Sequence, residues 1–365
     1  MFFLFAMISF VTGFQNPFGV ILKQQLSLSA LQSQIGNAAN FIAYAFMGLP
    51  AGMILQKKGY KFTSVAAVIV GFIGVALMFA SSYLPNEQVF TVYLTGAFVG
   101  GFSMCMLNTV VNPMLNTLAG GGNKGNQLIQ IGGSLNSLSA TICPVLVGYL
   151  IGQVTADTNL VDGRPALLIA MGIFAFAFLV LIVSKLPEPI LEALKNGEKK
   201  EEPALSGLFQ FSHYVMGVIA IFLYVGIEVG IPNIANLYMT GDLQMAASVA
   251  GGICGAYWFL MMIGRFVGGM IGGKVSARVM LITVSAVAML LLAAGIMMEP
   301  TMIDVPFIGE VPLNVFCFVL CGLCTSVMWG GIFNLAAEGL GKYTALASGF
   351  FMVMVCGGGI LPLIQ

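Results

Sequence analysis

Long apolar runs separated by short polar segments dominate the chain from its first residues to its last. Each run is close to the roughly 20 residues that a helix needs to cross the ~30 Å hydrocarbon layer of a membrane. The runs lack the alternation of apolar and polar residues that is typical of membrane barrel strands, so helices are predicted. The eleven predicted spans cover residues 2–22, 33–55, 63–83, 88–118, 127–152, 166–186, 213–239, 246–272, 279–298, 311–336 and 343–364.

The only long, strongly polar stretch follows the sixth span, at residues 187–206, and it divides the chain into two parts. We therefore predict an N-terminal bundle of six helices at 1–186 and a linker at 187–210, with a short surface helix at 189–196. A C-terminal bundle of five helices is predicted at 211–365.

A short repeat supports this division. The sequence Gly-Met-Ile-Leu-Gln-Lys at 52–57 ends the second span, and Gly-Met-Ile-Gly-Gly-Lys at 269–274 ends the eighth. The two motifs occupy the same place in their halves, as internal repeats do. Two matched halves predict six helices each, so the eleven spans suggest that the sequence is part of a longer chain.

The composition excludes several classes of protein. Hydrophobic residues make up 59% of the chain and charged residues 8%, against about 25% charged residues in soluble domains. A basic stripe that would indicate a nucleic-acid partner is missing from the sequence. The chain begins inside an apolar run without a charged leader or a cleavage motif, so we expect a retained first span rather than a signal peptide.

The formal net charge of zero hides an uneven distribution of basic residues. Loops that follow odd-numbered spans hold only Lys23 and Arg164. Because cytoplasmic loops of membrane proteins are enriched in Lys and Arg, we predict an inner-membrane protein with a cytoplasmic N-terminus and linker. The basic residues after even-numbered spans are Lys57, Lys58, Lys61, Lys124, Lys185, Lys195, Lys199, Lys200, Lys274, Arg278 and Lys342.

Two patterns that resemble cofactor motifs are better explained by helix packing. Cys317, Cys321 and Cys324 have a spacing that suggests iron–sulfur ligands, but they lie in an apolar helix without a surrounding loop. Residues 268–275 approximate a phosphate-binding loop, yet Val275 stands where the hydroxyl residue belongs and the stretch ends a membrane helix. We therefore expect no metal, no cofactor and no enzyme active site.

Glu228 is the one acidic residue placed deep in a predicted span. A buried ionisable group costs at least ~2.5 kcal/mol, so its side chain is predicted to face a water-filled cavity or a partner. Pro232 and neighbouring glycines interrupt the same span, as at many transporter sites, although a structural hydrogen bond to another helix would also explain the acid. Arg265 is expected to reach an interface carboxylate or a lipid headgroup, and His213 to be structural.

Amide side chains recur along single helix faces. Asn108, Asn112 and Asn116 are four residues apart, and similar faces occur in other spans. They provide either interhelical hydrogen bonds, worth ~0.6 kcal/mol each, or the wall of a polar cavity. Paired donors and acceptors match the vicinal hydroxyls of a sugar, and aromatic rings stack on its C–H face. The candidate substrate ligands are Gln15, Asn16, Asn37, Asn108, Asn112, Gln130, Asn136, Tyr224, Asn233, Trp258, Trp329 and Asn334.

Several short motifs, in the same order along the whole chain, resemble the fucose, galactose and glucose:proton symporters of the major facilitator superfamily. They are Tyr-Val-Gly-Ile-Glu-Val-Gly at 224–230, Leu-Pro-Ala-Gly at 49–52, Asn112-Pro113, Asn136-Ser137, Gly264-Arg265-Phe266, and the ending at 332–362 with Glu-Gly-Leu-Gly and Ala-Ser-Gly-Phe.

This resemblance implies an all-α membrane fold of two pseudo-symmetric bundles, with a sugar site between them near the bilayer midplane. Some members of the family have acidic residues in the first and fourth spans that serve proton movement. The matching positions here are Asn16 and Asn108, which do not titrate, so Glu228 is the remaining candidate for ion coupling. Na⁺ is an alternative to H⁺, since Asn carbonyls and one carboxylate suit a hard cation.

The sequence therefore predicts a secondary transporter, coupled to H⁺ or Na⁺, that imports a monosaccharide such as fucose, glucose or galactose by alternating access. Two alternatives remain open at this point. One is an uncoupled sugar facilitator in which Glu228 is structural, and the other is a membrane sugar sensor that binds without transport.

Overall fold

The computed structural model describes residues 1–13, 15–28, 30–151, 158–189, 192, 204–245, 247–305 and 309–364. Every predicted span window is mainly helical where it is described, and the tenth window begins in a strand, at residues 311–312. The helices are α1 Phe2–Gly13, α2 Gln15–Gln25, α3 Ala30–Ser81, α4 Asn86–Leu118, α5 Gly122–Ile151, α6 Arg164–Val183, α7 Ser212–Leu237, α8 Ala247–Ile271, α9 Ala277–Met297, α10 Leu313–Ser326, α11 Met328–Ala336, α12 Thr344–Val353 and α13 Gly357–Ile364.

Nine helices among the described residues are long and apolar enough to cross a membrane, so the chain is a multi-pass membrane protein. This number differs from the eleven predicted spans for two reasons. The first window is shared by α1 and α2, each of which is too short to qualify alone. The second and third windows form the single helix α3, which bends instead of entering a loop.

The bend in α3 lies at Gly59, whose φ of 82° is in the left-handed region that favours glycine. The break frees backbone N–H groups, and the Glu188 carboxylate accepts from those of Tyr60 and Lys61 at 2.7 Å each. In return, the Lys61 ammonium donates to the carbonyls of Ile182 and Ser184 at 2.8 Å, where α6 ends. These reciprocal caps tie the start of the linker to the α3 bend.

The loops and turns between the helices lie at two opposite ends of the molecule. The linker end contains the α3 bend, the α4–α5 and α8–α9 turns and the end of α6. The opposite end carries an antiparallel hairpin of β1 Met302–Val305 and β2 Gly309–Pro312, and we call it the hairpin end. This hairpin was not predicted from the sequence. Most of the predicted surface helix at 189–196, and the charged part of the linker, lie outside the described residues.

The two halves meet along a close helix contact at the linker end. A Cβ added to Gly349 of α12 would lie 2.6 Å from the Gly48 carbonyl oxygen and from the Gly52 Cα of α3. Helices α5 and α8 form the second contact between the halves. Glycine therefore lets the backbones approach without side chains between them, as in other membrane helix pairs.

Candidate functional site

An ion pair lies between α7 and α8. The Glu228 carboxylate accepts from an Arg265 guanidinium N–H at 3.0 Å, and both side chains are only 12% exposed. Arg265 is thus the partner that the buried position of Glu228 requires, and the prediction that Arg265 reaches a carboxylate or headgroup at the membrane interface was wrong. Helix α8 continues to Ile271, so Arg265 lies six residues inside its end and faces the acid.

Arg265 also contacts the other half of the molecule. A second guanidinium N–H donates to the Ser137 hydroxyl of α5 at 2.7 Å, and its Nε–H donates to the Ser326 carbonyl of α10 at 3.3 Å. The arginine stem packs against α5 at Gly133, where a Cβ would lie in van der Waals contact with Arg265 Cδ, at 3.4 Å. One guanidinium thus links α5, α7 and α10, and its planar fork of donors suits this task better than a lysine would.

Two tyrosines, Tyr224 and Tyr257, lie beside the pair on the side that faces α10. Tyr224, one turn before Glu228, donates to the Thr325 carbonyl at 3.1 Å. The Tyr257 hydroxyl donates to the Glu228 carbonyl at 3.2 Å and lies 3.0 Å from the Thr325 hydroxyl. The predicted residue Trp258 packs edge-on against Tyr257 and is 42% exposed. Tyr224 and Tyr257 therefore lie beside the ion pair, and Trp258 is connected to this cluster through its ring contact with Tyr257.

Four predicted ligands instead join the two halves nearer the linker end. Gln130 of α5 donates to the Val327 carbonyl at 2.8 Å, and Trp329 of α11 donates to the Asn112 side-chain carbonyl at 3.2 Å. Asn334 donates to the Asn116 side chain at 3.0 Å and to the Gly122 carbonyl at 3.1 Å. In this conformation these amides connect one half to the other.

Two further predicted ligands make contacts inside the N-terminal half. Asn108 donates to the Tyr44 hydroxyl at 2.8 Å, and Asn136 donates to the Phe5 carbonyl at 2.9 Å. Next to this group the Asn40 amide nitrogen is buried without a partner among the described residues. Asn233 is exposed, five residues beyond Glu228. The side chains of Gln15, Asn16 and Asn37 lie outside the described residues.

The face of α8 that carries Arg265 differs between the two ends. Toward the linker end, a Cβ on Gly269 would lie 2.9 Å from the Ile131 side chain, and one on Gly272 would lie 3.4 Å from the Gln127 Cα. Toward the hairpin end, a Cβ on Gly251 or Gly255 would meet nothing within 4 Å. Helix α8 is thus in close contact with α5 on the linker side of Arg265, and its glycines toward the hairpin end have no such contact.

An apolar cavity of about 300 Å³ lies elsewhere, between α8, α9 and α10. Its walls include Val267, Val279, Met280, Leu323 and Val327. Such a lining offers a sugar almost no hydrogen-bond partners, so this cavity is a poor candidate for the substrate site.

Comparison with known proteins decides the family. The family model of the Major Facilitator Superfamily matches residues 1–362. The chain belongs to this superfamily. A glucose/galactose transporter of Brucella abortus is 30% identical over 99% of this chain and 85% of its own length. An L-fucose-proton symporter of Escherichia coli is 23% identical over 93% of this chain and 79% of its own.

The fold of a solved superfamily member agrees with this assignment. A crystal structure of the transporter FucP in the outward conformation matches 100% of this chain and 90% of its own, with a TM-score of 0.79 and 20% identity. The resemblance to sugar transporters of this superfamily, and the fold of two helical bundles that it implied, are therefore confirmed.

Three residues that complete the ion-pair cluster were not among the predicted site residues. Ser137, Thr325 and Ser326 contact the cluster through a hydroxyl or a backbone carbonyl, which leaves no distinctive sequence signal. Arg265 did leave a signal. A carboxylate at membrane depth needs a compensating charge, and Arg265 is the one Lys or Arg deep in a predicted span, since Lys185 lies at the end of its own.

Proposed function

We propose that this protein is a secondary transporter that imports a monosaccharide such as fucose, glucose or galactose by alternating access, coupled to H⁺ or Na⁺. The relatives named as glucose/galactose transporters and fucose-proton symporters support the substrate class. The observation that carries the proposal is the Glu228–Arg265 pair, bonded to Ser137 at the junction of the two halves. A charge change at this junction alters the contact that joins the halves.

We propose the orientation and the domain boundaries on the same basis. The linker end is cytoplasmic, because the loops there hold most of the basic residues, and the hairpin end faces the opposite side of the inner membrane. The first bundle covers 1–186, the linker 187–210 and the second bundle 211–365. In this orientation the observed closure of the linker end corresponds to an outward-open state.

Sugar enters from the hairpin end along the open face of α8 and reaches the cluster around Arg265. Tyr224 and Trp258 offer a hydroxyl and an aromatic face, and Arg265 offers charged donors. Asn16, Asn37, Asn108, Asn136 and Asn233 are further proposed ligands, supplied by other spans. Rocking of the two bundles then exposes the site to the cytoplasm.

The coupling ion acts at Glu228. Proton uptake by the carboxylate removes its charge and weakens its hold on Arg265, which keeps its bonds to Ser137 and Ser326. Na⁺ would be held instead by the carboxylate with amide carbonyls. In both cases the ion changes the net charge of a buried cluster, and that change alters the relative stability of the two conformations.

A second candidate is an uncoupled facilitator, and one observation favours it. Arg265 already neutralises Glu228, so this acid does not need an external cation in the observed conformation. The positions that carry acids in some relatives are Asn16 and Asn108. A facilitator would use the ion pair only to join helices.

Uptake of radiolabelled fucose, glucose and galactose into proteoliposomes, with H⁺ and Na⁺ gradients imposed separately, distinguishes these functions. We expect accumulation of one sugar above its external concentration with one of the gradients. Glu228→Gln should abolish accumulation and retain counterflow, while Glu310→Gln in the exposed hairpin serves as the control. Counterflow without accumulation in the parent protein would indicate a facilitator. Binding without counterflow would indicate a sensor.

A further inference from the structure

The tenth span is broken between α10 and α11. Helix α10 ends at Ser326, α11 begins at Met328, and the N–H of Val327 at the junction donates to the Thr325 carbonyl, in a turn tighter than an α-helix. A break in a membrane helix leaves backbone groups that need partners from elsewhere in the protein.

Three successive carbonyls at this break accept hydrogen bonds from three different helices. The Thr325 carbonyl accepts from Tyr224 of α7 at 3.1 Å, and the Ser326 carbonyl accepts from Arg265 of α8 at 3.3 Å. The Val327 carbonyl accepts from the Gln130 amide of α5 at 2.8 Å, besides the N–H of Gly331 at 3.1 Å. Gln130 is the one donor of these three that belongs to the N-terminal half.

The surroundings of Gln130 leave no place for a sugar in this conformation. Its side chain is 2% exposed, and its amide lies 3.5 Å from the Asn126 side-chain carbonyl on the preceding turn of α5. A Cβ on Gly330 would lie 2.7 Å from the Gln130 amide nitrogen, so α11 packs directly against it.

The opposite side of the break has free volume. The apolar cavity of about 300 Å³ is lined by Val327 itself, together with Leu323, Val279 and Met280. The junction is therefore held on one side by a bond across the two halves, and on the other it borders an apolar pocket that is partly open to the surface. A segment in this situation has room to move once that bond breaks.

We propose that Gln130 is a positioning residue that keeps the linker end closed, and not a sugar ligand. It does so by holding the Val327 carbonyl at the break in the tenth span, and this bond is lost when the halves separate at the linker end. The inference rests on alternating access, which is part of the proposed function.

The test measures the linker end directly. Spin labels at Lys124→Cys and Lys274→Cys report the distance between the halves there, since Lys124 is exposed in the first turn of α5 and Lys274 is exposed in the turn that follows α8. The labels are placed in a background whose seven native cysteines are replaced and whose monodisperse, helical state is retained. Distances are recorded in nanodiscs without sugar, so this readout does not depend on whether sugar is transported.

Gln130→Met keeps the side-chain volume and removes the donor. We expect the population at the longer distance to increase by at least roughly threefold, and Gln130→Ala to act in the same direction. Ser134→Ala is the matched control, since the Ser134 hydroxyl donates to the Gln130 carbonyl within α5 and does not reach the other half.

An unchanged distance distribution in both Gln130 variants would overturn the proposal. A loss of sugar affinity with unchanged distances would also overturn it and would make Gln130 a sugar ligand. If the parent protein carries no sugar, the proposed function fails, while a shift in distances still shows that Gln130 closes the linker end.

Discussion

Helices α5 and α8 meet at one end of the molecule and present open space at the other, and the two regions are built differently. Toward the linker end, Gly269 and Gly272 bring α8 against Ile131 and Gln127 of α5. Toward the hairpin end, Tyr149 of α5 is 86% exposed and the glycines of α8 face open space. The bond between Arg265 and Ser137 marks the boundary. Close contacts between helix backbones, together with short polar hydrogen bonds, therefore hold α5 and α8 together at the linker end. The ion pair lies where these contacts end.

The prediction with the largest expected effect concerns the Glu228–Arg265 pair, which lies at the boundary between these two regions. Arg265→Ala leaves the Glu228 carboxylate buried without its cation, and breaking a buried pair costs about 3–5 kcal/mol. We expect a strongly lowered melting temperature in detergent and loss of uptake. The double variant Arg265→Ala/Glu228→Gln should recover most of the thermal stability without recovering accumulation. Equal melting temperatures of the single and double variants would show that the charges of Glu228 and Arg265 do not stabilise each other.

The next prediction overpacks the closed region. Gly349→Ala adds a methyl group where a Cβ meets the Gly48 and Gly52 backbones at 2.6 Å. Overpacking costs about 1–3 kcal/mol, and this cost falls on the closed state alone. We expect the labels at Lys124→Cys and Lys274→Cys to move apart. Gly255→Ala is the control, because its Cβ faces open space and should leave the distance unchanged. A Gly349→Ala distance like that of the parent would contradict the closed-state packing.

A third prediction asks whether the open face of α8 contains water. Gly255→Cys should react with a membrane-impermeant thiol reagent added from the hairpin side about tenfold faster than Gly172→Cys on α6. Both glycines face open space, but Gly172 lies on a helix whose apolar surface suits lipid. Sugar should slow the reaction at Gly255→Cys if it occupies the same path. Equal rates at the two sites would mean that the face of α8 is lined by lipid.

The smallest effect concerns a single amide pair in the closed region. Asn334→Ala removes the bonds to Asn116 and Gly122, and membrane hydrogen bonds average about 0.6 kcal/mol. The two bonds together are worth about 1.2 kcal/mol, so we expect the longer-distance population of the same spin-label pair to increase by up to roughly eightfold. Thr95→Ala, whose hydroxyl bonds only within α4, provides the control. An increase in this population as large as that caused by Gly349→Ala would mean that amide hydrogen bonds stabilise the closed linker end as much as the close backbone contacts do.

The positions of the helices and the family were predictable from the sequence by itself. The thickness of a bilayer requires apolar runs of a narrow length, so the spans follow from composition along the chain. The need of Glu228 for a partner was also predictable, because an uncompensated charge in hydrocarbon costs free energy. The single helix across both the second and third windows was not predictable, because Gly59 bends the chain in place of the expected loop.

Only the tertiary structure decided which partner each polar residue has. Asn108, Asn112 and Asn116 have the same spacing and the same chemistry, yet the first bonds inside its own half and the other two bond across to α11. Arg265 meets Glu228 across 37 residues of sequence, and Gln130 meets Val327 across 197. Local sequence sets which side chains share a helix face. The register and tilt between helices of different halves determine which residues that face contacts. Register and tilt in turn depend on packing along the whole interface between the halves.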